Sequence, residues 1–171
     1  MGHGTIEIGE ISRDGTTAMT IDASGRVLQP AKPCFFAYMS SGTFAPGTGN
    51  STKTPLNSTL VNQGSCWHTT NHLFTAPVAG VYSISWGVTF GADADEGRYM
   101  ASRIYKNGSQ IGDYHRNRPT TAQGGNQYSG VDCNIVLSFT ASETFWVILQ
   151  PAADITVAPD MGTYMCGFLI G

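Results

Sequence analysis

Between Phe74 and Phe90 the chain reads FTAPVAGVYSISWGVTF, a turn followed by residues that alternate in size. Pro77 and Gly80 punctuate the turn, since proline fixes φ and glycine tolerates the positive φ of tight turns. Beyond them Tyr82, Ile84, Trp86, Val88 and Phe90 fall on one face of an extended chain. Val81, Ser83, Ser85, Gly87 and Thr89 fall on the other. One large apolar face and one small, mostly polar face describe a strand lining the core of an antiparallel sandwich.

The rest of the chain repeats this pattern. Phe35–Met39, Leu60–Trp67, Leu73–Thr75, Arg98–Lys106, Gln110–Tyr114, Tyr128–Phe139, Thr144–Gln150 and Thr163–Ile170 read as strands. Asn107-Gly108 marks a hairpin between two of them. Ile135, Leu137 and Phe139 share a face, as do Phe145, Val147 and Leu149. In the last strand Tyr164, Cys166, Phe168 and Ile170 share one, and that strand is expected inside the core, so that truncation by a few residues is destructive. No stretch has a helical period. The fold class is all-β, with many short strands joined by regular turns.

A chain of 171 residues holds one well-buried core and a short appendage. Charged residues make up 12% against about a quarter in typical domains, while 41% are hydrophobic. So little charge on an apolar-rich chain points to surface covered by other subunits. A net charge of -3 without a basic stripe speaks against nucleic acid as a partner. No apolar window is long enough for a membrane span, so no membrane insertion is expected. The four cysteines are far apart, without a C-x-x-C pair, and are expected to be free thiols, with Cys133 and Cys166 acting as small buried hydrophobes.

Residues 1–33 differ from the remainder. Met1-Gly-His-Gly4 has the look of a cloning scar, and no signal-peptide pattern follows it. Thr5–Ile11 and Ala18–Ile21 are short alternating pieces, Asp22–Gly25 is a turn signal, and Pro30 and Pro33 close the segment. It is too small to bury its own core, so a shaft-like stretch is expected, either extended or paired with copies of itself.

Several of these residues resemble one family. Phe74-Thr-Ala-Pro-Val-Ala-Gly80-Val-Tyr82 is similar to the turn-strand signature of the complement C1q-like globular domain, whose jelly roll is shared with the tumour-necrosis-factor ligands. Lys106-Asn107-Gly108 resembles that family's hairpin, Val136–Trp146 its apolar-strand, turn, VWV-type segment, and Gly167-Phe168-Leu169-Ile170 its closing GFLL-type strand. The resemblance implies a two-sheet antiparallel jelly-roll sandwich over 34–171, a homotrimer, and a binding module without catalytic activity. Tyr82, Trp86, Phe90, Tyr164 and Phe168 are then the core or trimer-packing residues. The chain departs from the family in its 41–59 loop, in the polar stretch 115–127, and in lacking a collagen-like Gly-X-Y stalk, which argues against a complement role. Separately, Ala18-Met-Thr-Ile-Asp-Ala-Ser-Gly25-Arg-Val-Leu28 resembles a run found before the C-terminal domains of bacteriophage tail-fibre and related virion proteins. That implies a virion tail fibre binding a host-cell-surface receptor. A secreted, extracellular C1q-like lectin or ligand and a purely structural trimerisation cap are the alternatives.

The residues that could carry chemistry are few. The stretch 115–128 is rich in Asn, Gln, Arg and Tyr, which hydrogen-bond and stack on sugars or peptide edges. Arg116, Asn117, Arg118, Gln123, Asn126, Gln127 and Tyr128, with Asn50 and Lys53 from the 41–59 loop, are candidates for binding a host glycan or outer-membrane component. Plain connecting loops are the other reading. Asp93, Asp95 and Glu96 crowd one turn, as a calcium loop or a solvated acidic loop does. Cys66, His68 and His72 lack the fourth ligand and spacing of a zinc site, although His68, His72 or His115 repeated about a trimer axis would give three ligands. Gly47–Thr54 echoes a phosphate loop but has Thr52 where the glycine before the lysine belongs. There is no G-x-S-x-G elbow and no Ser/His/Asp grouping, so no enzyme is expected, and no cofactor beyond calcium.

Overall fold

The computed structural model describes residues 9–49, 52–92, 100–112, 115–117, 127–151, 156–157 and 159–171. Among these residues there is no helix. The strands are β1 (Glu10–Arg13), β2 (Thr16–Ile21), β3 (Val27–Leu28), β4 (Cys34–Tyr38), β5 (Ser58–Gln63), β6 (Trp67–His68), β7 (Leu73–Thr75) and β8 (Gly80–Ala92). They continue with β9 (Met100–Lys106), β10 (Ser109–Gln110), β11 (His115–Asn117), β12 (Gln127–Phe139), β13 (Thr144–Pro151), β14 (Thr156–Val157) and β15 (Tyr164–Leu169). β1, β2 and β3 form a small sheet of their own. The head has two antiparallel sheets. One runs β12-β8-β15-β4-β5 with β14 also on β8, and the other β10-β9-β13-β7-β6 with β11 also on β9.

The alternation in β8 works as expected, because directly opposed residues in an antiparallel pair share a face. Tyr82, Ile84, Trp86, Val88 and Phe90 are all buried. They meet the other sheet through a chain of aromatic contacts. Phe74 lies edge-on to Tyr82 at 5.2 Å and to Phe139 at 5.4 Å, and stacks on Phe35 at 5.3 Å. The polar tips in this core are satisfied. Trp86 Nε1 donates to Ser102 Oγ (3.2 Å), Tyr82 OH to the Val78 carbonyl (2.9 Å) and Trp67 Nε1 to the Leu56 carbonyl (3.2 Å).

The last strand turns its other face inward. β15 lies between β8 and β4, and its core side is Met165, Gly167 and Leu169, whereas Tyr164, Cys166 and Phe168 face outward. A Cβ on Gly167 would lie 2.9 Å from both the Phe35 ring and the Ser83 carbonyl, so the core closes directly over the backbone there. Cys133 packs against the core, but Cys166 is on the outside, so only one of the two cysteines has the expected place. Gly80 also serves a steric purpose, since a Cβ there would press on Leu169 Cδ1 at 2.5 Å.

Three further segments differ from expectation. Leu60–Trp67 is two strands in different sheets, because Gly64 (φ 80°) and Ser65 (φ 51°) turn the chain in left-handed conformations. Asn62 clamps that turn, donating to the Trp67 carbonyl (3.0 Å) and accepting from its N–H (2.9 Å). The second half of the 41–59 loop lies on β13: Lys53 bridges to Ile148, the Thr54 N–H donates to the Val147 carbonyl (3.0 Å), and Leu56 is buried in the core. Within the polar stretch, residues 115–117 form a strand, with Asn117 opposite Met100.

Residues 10–28 are not a single extended strand. Asp14 (φ 52°) and Gly15 (φ 77°) make the tight turn between β1 and β2, the Asp-Gly pairing that favours such hairpins. In the next turn one Asp22 carboxylate oxygen accepts from the N–H of Ser24 (2.9 Å) and of Arg26 (3.0 Å), while the Arg26 guanidinium holds the other at 2.7 Å. Those hydrogen bonds keep the Asp22 carboxyl below its usual range. The Asp22-Ala-Ser-Gly25-Arg26 run is therefore an Asp-closed hairpin turn.

Candidate subunit-packing face

Opposite the core, the β12-β8-β15-β4-β5 sheet presents a surface that pairing registers resolve into cross-strand rows. One row is Gln63, Cys34, Phe168, Ser83 and Val136. The next is Val61, Phe36, Cys166, Ser85 and Asn134, and the third is Ser58, Tyr38, Tyr164, Gly87 and Asp132. Asp132 is the one charged side chain in the three rows. Phe168 is 51% exposed and Val136 54%.

The rows divide the face lengthwise. On β4 and β15 the side chains are bulky: Tyr164 stacks on Phe36 with centroids 5.4 Å apart and rings 6° from parallel, and Phe36 also meets Tyr38 at 6.4 Å. On β8 and β12 they are mostly small and polar: Asn134 Nδ2 donates to Ser85 Oγ at 2.7 Å, and Gly87 leaves room for its neighbours. A Cβ on Gly87 would collide with the Asp132 carboxylate and lie 2.5 Å from the Tyr164 ring. Burial, then the Asp132 charge, raise the Tyr164 phenol above its ordinary pKa. An aromatic ridge thus runs beside a shallow polar trough on one sheet.

The residues singled out in the sequence are scattered. Tyr82, Trp86 and Phe90 lie in the core, whereas Tyr164 and Phe168 belong to the outward ridge. Lys53 sits with its Nζ 4.6 Å from the centroid of the Trp146 ring, on the outer side of the second sheet. For Arg116, Asn117, Gln127 and Tyr128 the structure describes only the backbone, in β11 and β12. Asn50, Asp93, Asp95, Glu96, Arg118, Gln123 and Asn126 lie outside the described residues.

His68 is exposed, while Cys66 is buried, its Sγ–H donating to the Gln63 carbonyl (3.3 Å) and its pKa pushed up to about 11 by burial. His72 stands in a turn at φ 51°, its Nδ1 3.3 Å from the Leu56 carbonyl. Among the described residues no three His, Cys, Asp or Glu side chains are grouped to hold a metal. All four cysteines are free. The small, mostly polar face of β8 that forms the trough was legible in the sequence, but the ridge beside it was not, although the apolar residues on both sides of β15 carried that signal.

Known proteins share this architecture. The chain is similar to the globular domain of a zebrafish complement 1qA protein, with 17% identity and a TM-score of 0.59 over 82% of this chain and 98% of that one. An Eiger TNF from S. frugiperda aligns with 8% identity and a TM-score of 0.63 over 82% and 94% of the two chains. Murine APRIL aligns with 11% identity and a TM-score of 0.58 over 81% and 99%. No curated protein matches the sequence. Residues 34–170 match the C1q domain family. On that match the chain belongs to the C1q domain family, whose jelly-roll members assemble as trimers and bind ligands.

Proposed function

We propose that this chain is the homotrimeric, non-enzymatic head of a phage tail-fibre-like protein on the virion. The head attaches to a host-cell-surface receptor, a glycan or an outer-membrane component. The observation that carries the assembly is the ridge beside the trough. A face whose two halves differ in shape fits a neighbour head-to-tail, ridge into trough, and such a contact closes into a ring when the rotation per subunit allows. Half-exposed Phe168 and Val136, with a single charge in three rows, are what a buried subunit contact requires. The Asp22-closed hairpin supports the fibre setting, since it is the run that resembles segments preceding the heads of such fibres. Three equal sites on one rigid head gain avidity without any single tight contact.

Fluorescently labelled protein incubated with candidate host bacteria tests the adhesion. Binding saturates, and replacing Arg116, Asn117 and Arg118 together by alanine abolishes it while the trimer mass is kept. Unchanged binding in that variant contradicts receptor recognition by this polar stretch. Absence of binding to any host, with an intact trimer, leaves the structural cap as the reading.

A further inference from the structure

We infer that the small β1-β2-β3 sheet is a second contact between copies, its apolar face meeting the same face of the other two chains; this rests on the trimer proposed above. Ile11 lies opposite Met19, and Ile21 opposite Val27. Met19 and Ile21 alternate on β2, so all four side chains share one face. A register shift between Ile11 and Ser12 places a bulge at Ala18, and beyond it Thr17 falls on the side of Glu10, whose carboxylate accepts from Thr17 Oγ1 at 2.8 Å. The bulge therefore turns Thr17 to the side of Glu10, away from Ile11 and Met19. Leu28, opposite Thr20, belongs to the polar side.

Nothing in the head pairs with these strands among the described residues. Ile11, Ile21 and Val27 on its apolar face are about half exposed, and taking such a face out of water is favourable. The chain's own connections say where a cover comes from. Gln63 Nε2 donates to the carbonyls of Gln29 (3.3 Å) and Lys32 (2.7 Å). The Leu169 N–H donates to the Pro33 carbonyl (3.0 Å), and Lys32 Nζ to the Ile170 carbonyl (3.2 Å). These anchors fasten residues 29–33 beside the row Gln63, Cys34, Phe168, Ser83 and Val136. Association through that face brings three linkers, and the three small sheets they carry, to one end of the common axis. An apolar face delivered beside two identical faces is covered by them.

Val27 and Leu28 are neighbours on β3 with similar exposure, 57% and 46%, but point to opposite faces. Val27→Asp and Leu28→Asp in the full chain therefore separate a contact from general destabilisation. The readout is hydrogen exchange of the Ile21 and Asp22 amides, which donate to the Gly9 and Arg26 carbonyls. Val27→Asp speeds their exchange about tenfold or dissociates the trimer, and Leu28→Asp leaves both at wild-type values. A trimer in which the two variants behave alike overturns this contact and spares the head interface. A wild-type chain with monomer mass overturns the head interface, and this contact with it.

Discussion

Both sheets of the head carry aromatic side chains on their outer faces, and the chain treats them differently. On the β9-β13 side Trp146 stacks on Tyr105 at 5.5 Å with rings 5° from parallel, and Lys53 lies over the Trp146 ring. The chain covers that aromatic with its own residues, and its neighbours include the cations of Lys53 and Arg103. On the β15-β4 side Phe36 and Tyr164 stack on each other, yet Phe168 stays half open, and the surroundings carry one charge in three rows. An outward aromatic is therefore a poor sign of an interface by itself. What distinguishes the second face is an uncovered apolar surface from which charge is nearly absent.

The largest expected effect tests which side of a strand holds the fold. Trp86→Ala empties a fully buried site and leaves Ser102 Oγ without its indole donor, at about 3–5 kcal/mol. Urea unfolding should show a midpoint collapse in this variant. Phe168→Asp, on the outer side of the same sheet, should keep the strand signature in circular dichroism and lose assembly. Its melting temperature should stop depending on protein concentration, as it does for wild type when association stabilises the fold. If both variants unfold alike at every concentration, the two faces are not distinct.

Gly87→Val comes next. The new side chain displaces Asp132 and Tyr164 and roughens the trough, so assembly should weaken while the monomer remains folded, as read by sedimentation. Lys53→Ala belongs to the self-covered face. It should remove about 0.5–1 kcal/mol of cation–π stabilisation, visible in chemical denaturation, with no change in mass.

The smallest effect is a pH dependence at the end of the self-covered sheet. The Glu143 carboxylate accepts from Lys106 Nζ (2.8 Å), the Thr140 N–H (2.8 Å) and Asn107 Nδ2 (2.7 Å). The Lys106 contact first, then the Thr140 N–H, lower its pKa. A carboxyl with a lower pKa in the folded state contributes stability that is present above its unfolded pKa and lost as pH falls through its folded pKa. Glu143→Gln should therefore melt slightly below wild type at neutral pH, and the two curves should converge in acid. Curves that stay parallel contradict this role for Glu143.

Much of the fold was legible because burial imposes periods on sequence. Tyr82 to Phe90 could be read as one core face since every second position had to be large and apolar. The inward side of β15 could not be read that way. Met165 and Leu169 on the core side, and Tyr164 and Phe168 on the outer side, are all bulky, so size does not mark which side faces in; the outer side is the one proposed to meet a neighbouring subunit. Gly167 was the available clue, as the position where Phe35 meets the backbone. Leu56 was hidden by its polar surroundings: a single apolar residue has no period, yet it fills the core and its carbonyl receives Trp67 Nε1. Asp14-Gly15 was a readable hairpin signal between two alternating pieces, and it folds residues 10–21 of the stretch expected to be extended or paired with copies of itself into a hairpin. The receptor-facing candidates depend on loop side chains, and loop composition states which contacts a side chain can make without stating where it points.

The most direct test of the packing face is the mass in solution of the full chain and of its Phe168→Asp variant, measured side by side by multi-angle light scattering. The account predicts three times the 18.2 kDa chain mass for the wild type and the single chain mass for the variant. A wild-type monomer, or a variant that keeps the trimer mass, contradicts it.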